Sequence, residues 1–394
     1  MQPLAGRKLH FVGIGGAGLS GYALLAFAWG AEVSGWDRYE TPYLEHLPEG
    51  IHVEISPEPD PPDGAETIVS TAFTGSATGK SRAEFLAELV SLQDAIVVAG
   101  AHGKTTTAAM IAFVFDRLGR DPGFLIGADI PQLGGNARAG SGWLVVEGDE
   151  SDRTIELLRP KIAVVTNVDL DHHTEFASRS EVGELFERWL ETVPKTVQGE
   201  SLAPYDGELN VPGEHNRRNA ATALAALELA GVDGRDAWPV LREFRGAGRR
   251  LEEVGVAGDV RIVDDYAHHP EEIRATLSAL RDQGTGRILA LFQPHLYSRT
   301  RHLARETAAA LAEADVVAVT DVYPAREQPV EGVTGKLVVD ALAELRPGMP
   351  IAWMPQVEDG ARFLARRARP GDVVLTIGAG DVDRGAELVF AELA

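Results

Sequence analysis

The chain has 394 residues, with 37 Lys and Arg against 59 Asp and Glu, a formal net charge of −22, and no cysteine. The charge balance excludes a basic face for nucleic acid or for an anionic membrane. The absence of cysteine excludes disulfides, thiol catalysis and Cys-based zinc sites. At roughly 100–200 residues per domain the length allows two to four domains, and 44% hydrophobic content supplies more than one core. Any anionic ligand must therefore be held by local devices: glycine loops, helix N-termini or particular Lys and Arg side chains.

The segment from Met1 to His10 lacks the charged-then-apolar run of a signal peptide. No apolar stretch approaches the ~18 residues of a membrane span. The expectation is a cytoplasmic monomer or homodimer with small-molecule partners, no nucleic acid and no membrane.

In chain order, Lys8–Ile14 reads as a strand ending in glycines, Leu19–Trp29 as a helix, and Glu32–Trp36 and Thr67–Thr71 as further strands. A second block opens with the strand Ala95–Ala99, a glycine turn and the helix Thr105–Leu118. The strands Trp143–Val146 and Ile162–Thr166 follow, with Gly134–Gly142 read as a loop. A helix over Glu214–Ala230 closes this block, and Gly231–Gly234 is the linker candidate. The third block has strands at Val260–Asp264, Ile288–Phe292, Val316–Thr320, Ile351–Met354 and Val373–Ile377, alternating with helical segments. Repeated βα units predict parallel sheets covered by helices. The expected domains are 1–94, 95–232 and 233–394.

Gly13-Ile14-Gly15-Gly16-Ala17-Gly18 follows a strand and opens a helix, and Asp37 ends the next strand 19 residues after Gly18. Such glycines let the backbone approach a diphosphate at a helix N-terminus, and the acid can bond a ribose. The loop specifies a diphosphate, not nicotinamide, so a dehydrogenase is one reading of it among others. Gly100-Ala101-His102-Gly103-Lys104-Thr105-Thr106 follows Ala95–Ala99 directly. Strand, glycine turn, Gly-Lys-Thr and helix make a phosphate cradle, with Lys104 on the β/γ oxygens and the Thr105 hydroxyl on Mg²⁺. Two phosphate devices in separate βα blocks imply one nucleotide-linked substrate plus ATP.

Polar clusters follow the later strands. They are Glu147-Gly148-Asp149-Glu150-Ser151-Asp152, Asp169-Leu170-Asp171-His172-His173, Asp264-Asp265-Tyr266-Ala267-His268-His269 and Gln293-Pro294-His295-Leu296-Tyr297-Ser298-Arg299. Loops after strand ends face the ligand crevice of an open parallel sheet. Asn216 and Asn219 lie three apart near a helix start, and Arg249-Arg250 lies in a loop.

Taken in order, HFVGIGGAGLSG, AGAHGKTTT, EGDESD, TNVDLDHH, PGEHNRRNAATALAAL, GAGRRLEEVG, VDDYAHHPEEI, FQPHLYSRTR, VYPAREQPV and IGAGDV resemble the Mur ligases of peptidoglycan synthesis nearly end to end. The third-block segments resemble the alanine-adding type. The resemblance implies an α/β fold of three domains: N-terminal Rossmann-like, central P-loop ATPase-like and C-terminal Rossmann-like. It implies ATP-dependent, ADP-forming ligation of L-alanine to the carboxylate of UDP-N-acetylmuramate through an acyl phosphate, with ATP and Mg²⁺ as cofactors. A ligase adding a whole peptide to the same sugar, or a non-catalytic relative, would share most of these motifs.

The resemblance also implies roles. Gly15, Gly16, Ala17, Gly18 and Ser20 would bind UDP, with Asp37 and Ser70 nearby. Gly100, His102, Gly103, Lys104, Thr105 and Thr106 would bind ATP, and Asn216 and Asn219 the adenine. Glu150 and His172 would ligate Mg²⁺. Arg250 would reach the phosphates and Asp265 the ribose. Tyr266, His268, His295 and Arg299 would line the region for the amino acid and the muramoyl end. Three departures from the family pattern stand out. Ala101 replaces a hydroxyl residue, and His173-Thr174-Glu175-Phe176 replaces an acidic-aromatic run. The stretch from His172 to Gly213 is short, with few strand signals over Val193–Val211, so an abbreviated central domain is expected.

Overall fold

The computed structural model describes residues 2–170, 175–325 and 327–394. They form three sheets. The first holds β1 (Lys8–Val12), β2 (Glu32–Asp37), β3 (His52–Ile55), β4 (Glu66–Val69) and β5 (Lys80–Ser81), all parallel, in the order β3-β2-β1-β4-β5. Its helices are α1 (Ala17–Ala28) and α2 (Arg82–Ser91). Ser81 and Glu84 form a reciprocal capping box that starts α2.

The second sheet is built from β6 (Ala95–Ala99), β7 (Gly123–Ile130), β8 (Gly135–Arg138), β9 (Leu144–Glu147), β10 (Ile162–Val165) and β11 (Lys195–Gln198). Its helices are α3 (Lys104–Arg117), α4 (Arg179–Leu190), α5 (Glu214–Leu229) and α6 (Gly234–Leu241). The order β11-β10-β6-β9-β7-β8 is parallel except for the β7–β8 pair. Every residue of β6 is buried, as an unbroken apolar run in a central parallel strand requires. The register pairs Ala99 with Val165 and Val98 with Glu147. The loops leaving β6, β9 and β10 therefore emerge side by side at one edge of the sheet.

The third sheet, β12 (Glu252–Ala257), β13 (Val260–Asp265), β14 (Ile288–Phe292), β15 (Val316–Val319), β16 (Ile351–Trp353) and β17 (Val373–Ile377), runs β12-β13-β17-β14-β15-β16. Only its β12–β13 pair is antiparallel among the described pairings. Helices α7 (Pro270–Asp282), α8 (Tyr297–Leu311), α9 (Lys336–Leu345), α10 (Val357–Ala365) and α11 (Arg384–Leu393) alternate with its strands. One apolar cluster gathers Ile273, Leu277, Val317 and Leu342, and another gathers Leu289, Leu291, Leu364 and Val389. Alternate residues of β14 enter different clusters, so both faces of this sheet are buried.

The chain divides into two compact units. The first covers residues 2–170, 175–210 and 217–247 and contains the first two sheets; the second contains Val211–Asn216 and Gly248–Ala394. Gly231 follows α5, yet α6 belongs to the first unit, where Phe244 meets Phe113 of α3 at 5.6 Å between ring centroids. Burying a Phe of this kind contributes about 1.5–3 kcal/mol. Two regions differ from expectation. The segment read as the loop Gly134–Gly142 contains β8, which pairs back onto β7. The segment with few strand signals contains β11, which closes the edge beside β10. Among the described residues no helix is long and apolar enough to cross a membrane.

Candidate functional site

The glycine loop expected to cradle phosphate lies wholly within the first unit. Gly100 (φ 125) and Gly103 (φ 78) adopt the left-handed backbone that turns β6 into α3. A Cβ on Gly103 would overlap the carboxamide of Asn219, and one on Gly100 would overlap Thr166. Asn167 clamps the loop from both sides: its Oδ1 accepts from His102 N at 2.9 Å and its Nδ2 donates to His102 O at 2.8 Å. Thr166 donates its hydroxyl to the same carbonyl at 2.6 Å. Neither Thr166 nor Asn167 was expected from the residue pattern, although both stand in the TNVDLDHH segment. The His102 ring lies 3.7 Å from Asp169.

Lys104 Nζ donates to Gly100 O at 2.6 Å and meets both oxygens of Glu150, at 3.1 and 3.2 Å. Burial opposes its charge, but Glu150, with Asp149 and Glu147, outweighs burial and holds its pKa above the usual lysine value. Burial likewise pushes Asp149 up; Lys104 and the N–H and hydroxyl of Ser151 outweigh it and hold it below the carboxylate range. The Thr105 hydroxyl donates to Glu147 Oε1 at 2.9 Å, and Gly127 N donates to Glu147 Oε2 at 2.7 Å. The carboxylate beside the cradle threonine is thus Glu147, while Glu150 is the buried counter-ion of the cradle lysine. Thr106 is buried on α3. His172 lies outside the described residues.

The first glycine loop is braced by Asp37. Its Oδ2 accepts from Gly15 N at 2.8 Å, its Oδ1 accepts from Arg38 N at 2.7 Å, and Thr41 donates to Gly15 O at 2.7 Å. Asp37 therefore holds the loop's own backbone. Gly16 caps α1, and Ser20 donates to Ala17 O at 3.2 Å. Gly13 (φ 90) admits no Cβ because Ser70 and Phe73 lie within 2.8 Å of where it would stand. The space beside Gly18 is open, whereas Gly21 is the residue pressed against β8, through Ala137.

In the second unit the loops after β13, β14 and β17 are neighbours, because Asp265 and Phe292 both pair with Ile377. Tyr266, His268, His295 and Tyr323 form a run of ring contacts at 5.6, 5.8 and 5.8 Å, the last pair stacked. Arg299 Nη1 lies 3.3 Å from His295 Nδ1. Tyr323 was not anticipated; its position depends on a bridge between His295 and Tyr323 that no local pattern announces. Asp265 is buried and internally satisfied: it accepts from Leu251 N at 2.7 Å, Ala267 N at 2.9 Å and the Thr276 hydroxyl at 3.0 Å. Burial lifts its pKa to about 6, against Arg250 and these hydrogen bonds. Both its oxygens accept from the chain, so Asp265 braces the turns at Leu251 and Ala267. Arg250 lies over the Tyr266 ring at 5.1 Å and 4.0 Å from Glu272. Asn216 donates to Pro212 O at 2.7 Å and is buried.

Residues 98–198 match the Mur ligase middle domain, and residues 249–380 match the Mur ligase glutamate ligase domain. The UDP-N-acetylmuramate–L-alanine ligase of Pelotomaculum thermopropionicum is 36% identical over 450 aligned positions, covering 97% of each chain. That of Rubrobacter xylanophilus is 39% identical over 446, covering 98% of this chain and all of the other. The chain belongs to the Mur ligase family. Among solved structures, this Mur ligase resembles the UDP-N-acetylmuramate-alanine ligase of Thermotoga maritima, with TM-score 0.80, 26% identity and coverage of 96% and 97%. A murein peptide ligase of Psychrobacter arcticus shares the fold, with TM-score 0.65 and 22% identity. The alignments run over 446–450 positions against 394 residues here, so these relatives contain segments that this Mur ligase lacks.

Proposed function

We infer that this Mur ligase joins L-alanine to the carboxylate of UDP-N-acetylmuramate, converting ATP to ADP and phosphate, in peptidoglycan precursor synthesis. The observation that carries the reading is full-length similarity to ligases of that name together with an intact lysine–threonine–carboxylate cradle.

A carboxylate is a poor electrophile, and both it and the γ-phosphate are anionic. In our reading Lys104 and Arg250 neutralise the γ-phosphate so that a carboxylate oxygen can attack phosphorus and ADP can leave. The neutral amine of L-alanine then attacks the carbonyl carbon of the acyl phosphate. The tetrahedral centre collapses to the amide, phosphate leaves with the former carboxylate oxygen, and the amine loses a proton. We assign the glycine loop around Gly15 and Gly16 to the UDP moiety, the first sheet to that nucleotide and the second to ATP. Tyr266, His268, His295 and Arg299 are assigned to the amino acid and the muramoyl end.

The Thr105 hydroxyl and Glu147 carboxylate are hard oxygen donors beside a phosphate loop, the donor set that suits Mg²⁺. They would hold the ion, which supplies charge neutralisation on the β- and γ-phosphates when bound. We assign Glu150, a metal ligand by the family resemblance, to orienting Lys104, with which it pairs at 3.1 Å.

The test is incorporation of labelled L-alanine into UDP-N-acetylmuramate, with other amino acids and the stem peptide as competitors. Label in the product that only L-alanine displaces supports the reading. Preferential use of the peptide would make this a peptide-adding ligase.

A further inference from the structure

Arg249 and Arg250 are consecutive, but they do opposite things. Arg249 gives its donors to the chain. Its Nε pairs with Asp264 Oδ2 at 2.8 Å, its Nη1 donates to Gly380 O at 2.8 Å and its Nη2 to Gly378 O at 2.8 Å. Asp383 lies 3.5 Å away, and the guanidinium stands over Tyr266 at 5.3 Å. Arg250 rests on the same ring and, among the described residues, its Nε has no hydrogen-bond partner.

The backbone around them is strained. Arg249 (φ 55) and Leu251 (φ 50) both adopt the left-handed conformation without being glycine, which an L side chain disfavours. Such strain persists only where the surroundings over-determine it. Here four backbone contacts do so. Arg249 N donates to Glu252 Oε2 at 2.7 Å, Tyr266 N donates to Arg249 O at 2.7 Å, Leu251 N donates to Asp265 Oδ2 at 2.7 Å, and Asp265 is locked in turn by Ala267 N. The Arg249–Asp264 pair is also buried on the acid's side, with the Asp264 side chain 4% exposed. A buried ion pair is a weak way to stabilise a fold. The arrangement makes sense if its purpose is geometric.

We propose that Arg249 is a positioning residue: it pins the strained turn to the ends of β13 and β17 and thereby fixes Arg250 for phosphoryl transfer, without touching substrate. The inference rests on the reading of Arg250 as a phosphate-contacting residue. A group misplaced by about 1 Å loses on the order of 10²-fold in rate.

The experiment is a double-mutant cycle on kcat in the full chain, using Arg249→Lys, Arg250→Lys and both together, with melting temperatures measured alongside. Lysine retains charge at each position but cannot reproduce the three directed contacts of Arg249. The proposal expects Arg249→Lys to lower kcat on the order of 10²-fold, with KM for L-alanine and for the UDP sugar within about twofold of the parent. It expects the double variant to be no slower than Arg250→Lys alone. Losses that multiply, or an Arg249→Lys variant with parental kcat, overturn it. An active parent whose kcat is indifferent to Arg250→Lys removes the reading beneath it instead. Should Arg249→Lys fail to fold, Asp264→Asn replaces it in the same cycle and must show the same non-additivity with Arg250→Lys.

Discussion

Thr105 and Glu147 meet through a 2.9 Å hydrogen bond at the mouth of the phosphate cradle, with the far oxygen of Glu147 held by Gly127 N. Three residues later in sequence, Glu150 pairs with Lys104 through both its oxygens. The acidic loop therefore sets one carboxylate beside Thr105 and another against Lys104.

The two carboxylates should separate in a paired experiment. Glu147→Gln should raise the Mg²⁺ concentration for half-maximal activity by about tenfold or more. Glu150→Gln removes the carboxylate that most offsets burial of the Lys104 charge, leaving Asp149 and Glu147, so it should lower stability by up to about 3 kcal/mol and shift the Mg²⁺ titration much less. A denaturation curve and a Mg²⁺ titration on each variant decide this; the reverse pattern would return the metal to Glu150.

Lys104→Ala should lower kcat by roughly 10³-fold, because residues 100–106 hold no other Lys or Arg and Arg250 would be left as the assigned cation on the γ-phosphate. Steady-state phosphate release measures it. A variant within about tenfold of the parent contradicts the role.

Gly103→Ala should abolish tight ATP binding. The added methyl meets Asn219, and the backbone there is left-handed at φ 78. Adding Asn219→Ala relieves the overlap but not the backbone, so the double variant should recover only part of the affinity in a calorimetric titration. Full recovery would show that crowding alone makes Gly103 necessary.

His215 gives a pH dependence. Burial first and Arg250 second lower its pKa to about 4, with Glu272 acting the other way. The unfolded side chain titrates near 6.5. Between these values the unfolded chain takes up a proton that the folded chain refuses. The stability is fully present above pH 6.5 and is lost as pH falls toward 4, by at most about 3 kcal/mol for this partly buried ring. In His215→Gln the gap between denaturation midpoints at pH 7 and pH 4.5 should shrink. An unchanged gap would place the acid sensitivity elsewhere.

The fully buried strands were legible because long apolar runs such as Ala95–Ala99 and Ile288–Phe292 admit little else. The strands absent from the sequence reading are β3, β5, β7, β8, β11 and β12. Five are short or polar-mixed edge strands that pairing rather than composition makes strands. The other, β7, buries Phe124, Leu125 and Ile126, but it opens on Gly123 after Pro122 and carries Gly127 and Asp129, which break its apolar run. Similarly, the glycine loops and Lys104 announce themselves by spacing, since their chemistry is local. Asp37 is a ligand candidate by its place at a strand end and Asp265 by the family resemblance alone; neither signal shows that each also bonds backbone donors of the chain. Choosing between Glu147 and Glu150 depends on which way a loop turns after β9, and residue identities alone do not state that.

The central claim is tested most directly by phosphate release from ATP with Mg²⁺, with UDP-N-acetylmuramate and L-alanine omitted singly and together. The account predicts release that requires both. Release that ignores the UDP sugar, or none at all from a protein that binds it, would contradict the claim that this chain is an alanine-adding ligase.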